Sequence, residues 1–94
     1  MGKVEQQESG KRGAFFIEED GKRIAELTYA RASDALIIID HTEVEPGLRG
    51  QGVARALLVA AVNWARENRV KVKPTCSFAV TQFARDQSIR DVLA

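Results

Sequence analysis

The segment that most constrains the fold is the glycine-rich stretch at residues 46–54, which reads PGLRGQGVA. It follows a β-branched run that ends near Val44 and precedes a helical pattern that begins about Gly52. A glycine turn that leads into a helix N-terminus can point several backbone N–H groups at one anion, and the helix dipole adds partial positive charge. The sequence therefore predicts a strand–turn–helix unit with a phosphate-bearing cofactor at residues 49–54.

The residues before this turn predict antiparallel strands. Residues 11–19 contain an aromatic and β-branched run, and Asp20-Gly21 follows it as a hairpin signal, because this turn requires positive φ. Residues 22–30 alternate, with Ala25, Leu27 and Tyr29 on one face. Residues 1–10 are polar and are interpreted as an edge strand or a partly ordered arm.

The strand before the turn has two halves. Residues 35–39 are apolar on both faces, which predicts a central strand that is covered on both sides. The second half is polar, which is common where a strand end carries a site and also where a strand leaves the core. A period of two places four side chains on one face, namely Ile37, Ile39, His41 and Glu43.

Helical spacing begins about residue 52 and continues to about residue 68. Its apolar stripe consists of Ala54, Leu57, Leu58, Ala61, Val62 and Ala65. Residues 70–73 predict a short strand that Pro74 stops, and Thr75 is a candidate N-cap for a second helix. The inward face of that helix is predicted to hold Cys76, Ala79, Val80 and Phe83, and a last short helical segment is expected around Ile89 and Val92. The predicted fold class is α+β, a mostly antiparallel sheet followed by helix–strand–helix.

Length and charge limit the function classes. A chain of 94 residues predicts one domain over residues 1–94. Its 14 basic residues are scattered among 13 acidic ones, which argues against a nucleic-acid binder with a dense basic face. One cysteine forms no internal disulfide, and no signal peptide or membrane-length apolar segment is present. We therefore expect a cytoplasmic protein, a monomer or weak dimer, with no metal site and no membrane partner.

The turn does not match two common phosphate-binding motifs. A dinucleotide site requires a third glycine where this chain has Arg55, and no Gly-Lys-Ser/Thr follows for a Walker loop. What remains is Arg49-x-x-Gly52-x-Ala54 at the start of a helix. The alternative is that Gly50 and Gly52 only relieve strain in a tight strand-to-helix turn.

This pattern resembles the acetyl-CoA pyrophosphate signature of the GNAT acetyltransferase superfamily, Arg/Gln-x-x-Gly-x-Gly/Ala. With His41-Thr42-Glu43-Val44 before the turn and Pro74-Thr75-Cys76 after the next strand, the chain resembles the short, YjdJ-like single-domain branch. The similarity extends from about residue 12 to at least residue 84. The resemblance implies a compact GNAT-like fold with an acetyl-CoA cleft at the splayed end of the central strands.

The resemblance also implies which residues hold the cofactor. The pyrophosphate is expected at the turn, on Arg49, Gly50, Gln51, Gly52, Val53 and Ala54. The pantetheine arm is expected to pair like an added strand with the end of the central strand, around Glu43 and Val44. The acceptor is expected to be an unidentified amine, on a small molecule or on a protein.

Three residues are candidates for the chemistry of acetyl transfer. Cys76 falls at the start of a helix, where the dipole favours a thiolate, so it is a candidate proton donor or nucleophile, or else a small buried apolar residue. His41, the only histidine, is the natural base or a structural residue at a strand end. Glu43 is a water-mediated base or a solvated carboxylate, and Trp64 is interpreted as packing.

This chain departs from the family pattern in two ways that bear on catalysis but not on cofactor binding. Many GNAT enzymes use a tyrosine on the helix after the last crossover strand, where this chain has only Phe78 and Phe83. The chain also lacks the helices and strands that usually complete an acceptor pocket. The leading hypothesis is an N-acetyltransferase. The alternatives are an acetyl-CoA-binding module without efficient catalysis and an interaction domain with a purely structural turn.

Overall fold

The computed structural model describes residues 2–94 as a five-stranded sheet with two α-helices. The strands lie in chain order, and only the last pair is parallel. Short 3-10 helices span Pro46–Leu48 and Gln87–Val92. The main elements are β1 (Glu5–Ser9), β2 (Arg12–Glu19), β3 (Lys22–Ser33), β4 (Leu36–Val44), α1 (Val53–Asn68), β5 (Lys71–Pro74) and α2 (Ser77–Arg85). This arrangement confirms the predicted α+β fold class.

The hairpin between β2 and β3 forms where the sequence predicts it. Asp20 and Gly21 have φ values of 53° and 77°, as a two-residue turn with positive φ requires. The predicted alternation in β3 is confirmed, because Ala25, Leu27 and Tyr29 are all buried. The strand runs three residues further than predicted, to Ser33.

Both helices pack on the same face of the sheet and bury their apolar side chains in one core. We call this face of the sheet the helix face. The core includes Leu57, Leu58 and Ala61 of α1 and Ala79 and Phe83 of α2. Ala14 and Phe16 are buried but lie outside this core, on the opposite or open face. There the Arg23 guanidinium covers the Phe16 ring at 3.9 Å from its centroid.

The prediction that residues 35–39 are covered on both sides is therefore wrong. Ile37 and Ile39 are fully buried under the helices, whereas Leu36 and Ile38 are only half-buried. The two helices pack on the same face, so the other face of β4 has no comparable layer.

The start of α2 also differs from prediction. The N-cap is Cys76, with φ −78° and ψ 147°, and no side chain caps the helix. The predicted cap, Thr75, instead donates its hydroxyl to the carbonyl oxygen of Ile39. Val80 is 46% exposed and does not point inward. The last helical segment is confirmed as a 3-10 helix with Ile89 and Val92 buried.

A β-bulge in β4 overturns the predicted face assignment. Tyr29 pairs with Ile39, but its neighbour Thr28 pairs with His41, so Asp40 is an extra residue in β4. The bulge reverses the alternation along the strand. His41 lies opposite Thr28 on the open face, whereas Thr42 lies opposite the buried Leu27 on the helix face. Ile37 and Ile39 therefore do not share a face with His41 and Glu43.

Candidate functional site

β4 and β5 separate at the bulge and leave a slit between them. Their pairing ends at Ile39 and Pro74. The carbonyl oxygen of Ile39 then accepts the N–H of Thr75 at 2.9 Å and the N–H of Cys76 at 3.4 Å, and the chain turns away into α2. The last residues of β4 therefore have a strand on one side only. An edge of this kind presents backbone donors and acceptors that an extended molecule can pair with.

The hydrogen bonds of the β4 end show which backbone groups face the slit. The Glu45 N–H donates to the carbonyl oxygen of Ile24 in β3, so alternation also directs the backbone of Glu43 towards β3. Val44 has the opposite orientation, and its carbonyl oxygen accepts the Arg49 Nε–H at 3.4 Å. Of the two residues predicted to pair with an extended cofactor, only Val44 presents its backbone at the free edge.

The glycine turn closes one end of the slit. Gly50 and Gly52 have φ values of 80° and 76°, a region that favours glycine, and a Cβ on either would meet open space. The backbone conformation, and not lack of room, therefore accounts for glycine at both positions. Gly52 is the N-cap of α1 and carries no side chain that could cap the helix.

Free N–H groups converge at this turn. The Ala56 N–H donates to the Gly52 carbonyl oxygen as the first bond of the α1 ladder. Within residues 2–94, no backbone acceptor faces the preceding N–H groups of Val53, Ala54 and Arg55, as is usual at a helix start. Such groups at the positive end of a helix dipole fit an anion.

Two adjoining cavities connect the turn with the slit. One of about 250 Å³ lies against Leu48, Gly50, Gly52 and Arg55. The other, of about 530 Å³, reaches from Arg49 to His41, Thr42 and Glu43. Both include Val44, Arg49, Ala54 and Phe78, so one continuous depression runs from the helix N-terminus to the bulge. Its shape suits an elongated ligand with an anionic group at the turn.

Cys76 lies at the slit on the helix-face side. Its Sγ is 3.4 Å from Thr42 Oγ1, and the side chain is half-buried. The bulge is what turns Thr42 towards this sulfur. Its position at the N-cap of α2 places the thiol beside the positive end of that helix.

His41 and Glu43 lie together on the other side of the strand. His41 Nε2 is 3.2 Å from Glu43 Oε2, and both side chains are more than half exposed. In the part of the chain that the structure describes, no hydrogen bond or ion pair joins His41 to Cys76. The two predicted catalytic side chains therefore border the slit from opposite faces of the sheet.

An interaction between the two helices was not found from the sequence. The Arg55 guanidinium donates to Gln82 Oε1 at 2.9 Å and to Asp86 Oδ2. Asp86 also accepts the hydroxyl and the N–H of Ser88. The bond from the Ser88 hydroxyl, then that from Arg55 and then that from the Ser88 N–H lower the pKa of Asp86 to about 2. This brace ties the first turn of α1 to the end of α2. No local sequence signal predicts it, because the partners are 27 and 31 residues apart.

Residues 2–94 contain neither a membrane-spanning helix nor a cluster of metal ligands. Neither helix is long and apolar enough to cross a membrane. No group of three or more histidine, cysteine, aspartate or glutamate side chains is placed to hold a metal ion in those residues.

The sequence model of the GCN5-related N-acetyl-transferase family matches residues 14–92. A GCN5-like protein from Staphylococcus aureus, solved in solution, is 35% identical, covers 100% of this chain and 91% of its own, and has a TM-score of 0.73. No curated protein matches the chain.

Two larger enzymes share the fold at low identity. The ribosomal-protein-S18-alanine N-acetyltransferase of Escherichia coli is 18% identical with a TM-score of 0.66, over 83% of this chain and 53% of the enzyme. An aminoglycoside N-acetyltransferase in complex with CoA is 17% identical with a TM-score of 0.58, over 86% of this chain and 68% of that one. The family match and the S. aureus relative decide the assignment: this chain belongs to the GCN5-related N-acetyltransferase family.

Proposed function

We propose that the protein binds acetyl-CoA in the depression between the glycine turn and the slit and transfers the acetyl group to an amine. The observation that carries this proposal is the free edge of β4 beside an uncapped helix N-terminus. The turn offers N–H groups to the pyrophosphate, and the edge at Val44 offers backbone groups to the amide-bearing pantetheine arm. We expect the reaction to take place in the cytoplasm.

The residues at the turn fit an anion in number and chemistry. Arg49, Gly50, Gln51, Gly52, Val53 and Ala54 surround the N-terminus of α1. Arg49 adds a cation whose side-chain hydrogen bond within residues 2–94 is to the Val44 carbonyl, which leaves donors that can pair with a phosphate. Glu43 is not assigned to the pantetheine arm, because its backbone is directed towards β3, and its side chain lies on the open face opposite Glu26.

Bound acetyl-CoA supplies an activated acetyl thioester. The chain then has to accept a proton from the amine and provide one for the departing thiolate. We assign the first role to His41, whose Nε2 lies 3.2 Å from Glu43 Oε2, a contact that orients the ring. We assign the second to Cys76 on the helix-face side, with nucleophilic attack by its thiolate as the alternative. This assignment requires the amine to approach from the open face.

One observation favours the second candidate function, an acetyl-CoA-binding module without efficient catalysis. The only tyrosine, Tyr29, is fully buried and hydrogen-bonded to Gln6 and Glu8, away from the slit. The aromatic residue at the slit is Phe78, which has no proton to donate. The proposal therefore assigns the proton for the departing thiolate to Cys76, and the protein is no more than a binder if Cys76 does not supply it.

Calorimetry with acetyl-CoA tests the binding step. We expect saturable 1:1 binding that is weakened by salt, because charge pairing contributes to it. An absence of saturation below millimolar acetyl-CoA would contradict both candidate functions. A panel of amines, including small molecules, polyamines and lysine peptides, then separates enzyme from module by the release of free CoA thiol.

Intact mass measured after incubation with acetyl-CoA tests Cys76. The wild-type protein and Cys76→Ala are compared with and without the amine that gives the fastest turnover in the panel. An acetyl adduct that forms on the wild-type protein but not on Cys76→Ala, and disappears when amine is added, identifies Cys76 as a nucleophile. Turnover without an adduct, lost in Cys76→Ala, identifies a proton donor, and full turnover in Cys76→Ala rejects both roles.

A further inference from the structure

The bulge in β4 is held by one carboxylate that spans three strands. Asp40 Oδ1 accepts the Thr28 hydroxyl of β3 at 2.7 Å, and Oδ2 accepts Nη1–H of Arg12 in β2 at 2.6 Å. Partial burial alone would raise the pKa of Asp40, but these hydrogen bonds outweigh it, so the pKa is lowered and the group is charged at neutral pH. Asp40 is the extra residue of the bulge, the one without a partner of its own in the β3–β4 register.

The position of this bulge determines which side chains border the slit. A strand without the extra residue would direct Thr42 to the open face and His41 to the helix face, because one residue of slip exchanges the two faces. With the bulge at Asp40, Thr42 Oγ1 lies 3.4 Å from Cys76 Sγ, and His41 lies 3.2 Å from Glu43. Neither contact involves Asp40 itself.

We propose that Asp40 is a positioning residue, whose bonds to Arg12 and Thr28 fix the bulge and thereby set His41 and Thr42 on opposite sides of the slit. This inference rests on the proposed function for its catalytic consequence, but not for its structural one. Without the carboxylate, the extra residue can move along β4, and the side chains at the slit exchange faces in part of the population. The effect falls on the reacting groups and not on the glycine turn.

Glu8 provides a matched control. Its carboxylate accepts the Tyr29 hydroxyl at 2.8 Å and Arg31 Nε–H at 3.1 Å, so it also binds one hydroxyl and one arginine, both on β3 and across β2. Its side chain is 32% exposed and that of Asp40 is 33% exposed. The β1–β2 pairing at Glu8 is regular. Glu8→Ala therefore removes a similar set of bonds without touching a bulge.

The experiment compares Asp40→Ala, Asp40→Asn and Glu8→Ala by NMR and by kinetics. Cross-strand NOEs between Leu27 and Thr42 and between Thr28 and His41 report the register and need no activity. We expect these NOEs to weaken in Asp40→Ala and to persist in Glu8→Ala. We expect kcat to fall about tenfold or more in Asp40→Ala, since small misplacements of reacting groups cost this much, while the Kd of acetyl-CoA stays within about twofold.

Each outcome has a defined meaning. Intact NOEs in Asp40→Ala overturn the proposal, whatever the activity, and so does an equal loss of register in Glu8→Ala. Should Asp40→Ala not fold, Asp40→Asn decides, because it keeps an acceptor for Thr28 and is expected to restore part of both the register and kcat. An inactive wild-type protein would refute the proposed function and leave the NOE comparison as the test of Asp40.

Discussion

The two ends of α1 meet the sheet in opposite ways. At the C-terminal end, Trp64 packs against Phe15 and Tyr29, with ring centroids 5.7 to 5.9 Å apart within this aromatic cluster. The Tyr29 hydroxyl there accepts from Gln6 and donates to Glu8, so even the polar atom is satisfied. At the N-terminal end the same helix starts on a glycine with free N–H groups beside an incomplete strand pair.

This contrast distinguishes the end of α1 that stabilises the fold from the end where we propose that acetyl-CoA binds. Backbone groups without partners are costly where water is excluded, so they persist at a surface that offers them to solvent or to a ligand. The buried aromatic cluster contributes stability that compensates for the unpaired backbone groups at the N-terminal end of α1. We therefore expect changes at the aromatic cluster to alter stability with little effect on affinity, and changes at the glycine turn to do the reverse.

The largest effect is expected at the aromatic cluster. Tyr29→Ala removes a fully buried ring and leaves Gln6 and Glu8 without their partner, which should lower the free energy of unfolding by about 3–5 kcal/mol. Tyr29→Phe keeps the ring and should lose only about 1 kcal/mol. Urea denaturation followed by Trp64 fluorescence measures both, and equal losses would show that the hydroxyl network, not the ring, stabilises this end.

The glycine turn should show the opposite response. Gly52 and Gly21 have φ values of 76° and 77°, and a Cβ on either meets open space, so valine at each costs a similar ~1–2 kcal/mol of backbone strain. Only Gly52→Val should weaken acetyl-CoA binding, by at least about tenfold, because a turn forced out of this conformation directs its N–H groups elsewhere. Calorimetry on both variants decides. Equal affinities would remove the pyrophosphate from residues 49–54.

The turns and the buried face of β3 can be predicted from the sequence, whereas the bulge beside the slit cannot. The hairpin at Asp20-Gly21 and the turn at Gly52 are readable because both need a positive φ that only a few residues accept. The burial of Ala25, Leu27 and Tyr29 follows from strict alternation in β3. These features depend on neighbours in the chain, and local rules are enough to find them.

The bulge in β4 could not be found in this way. Every residue from Asp40 to Glu43 is polar, so no apolar side chain reveals where the alternation reverses. The reversal depends on Arg12 and Thr28, which are 28 and 12 residues away from Asp40. For the same reason the sequence predicts His41 on the face of Ile39. It also predicts Thr75 at the N-cap of α2, a position that Cys76 occupies.

The brace between the helices, at the N-terminal end of α1, is expected to make a smaller contribution to stability that depends on pH. The pKa of Asp86 is about 2 in the folded protein, below its value near 3.9 in an unfolded chain. A lowered pKa contributes stability that is fully present above about pH 4 and is lost as the pH falls towards 2. The urea midpoint of the wild type should therefore fall more between pH 5 and pH 2.5 than that of Asp86→Asn.

The corresponding control is Asp91→Asn, at the other end of α1. Arg66 binds Asp91 there with two hydrogen bonds of 2.7 and 2.8 Å and lowers its pKa, so this variant also flattens the acid response. Only Asp86→Asn should change acetyl-CoA affinity, since Arg55 lies against the glycine turn. Equal affinities in both variants would show that the brace contributes to stability alone.

The smallest effect is expected at the contact between Thr42 and Cys76. Thr42→Val keeps the shape and removes the hydroxyl that lies 3.4 Å from Sγ. If the hydroxyl donates to the thiolate, its loss should slow alkylation of Cys76 by iodoacetamide about two- to tenfold, which corresponds to the ~0.5–1.5 kcal/mol of one hydrogen bond. If the thiol donates to the hydroxyl, alkylation should become faster, because the bond protects the unreactive form. Thr81→Val, within α2, removes a hydroxyl that has no hydrogen bond to the sulfur and takes no part in the bulge, so it serves as the control. An unchanged alkylation rate in Thr42→Val would mean that the bulge places Thr42 beside Cys76 without chemical consequence. The reactivity of Cys76 at the slit would then depend on backbone groups alone.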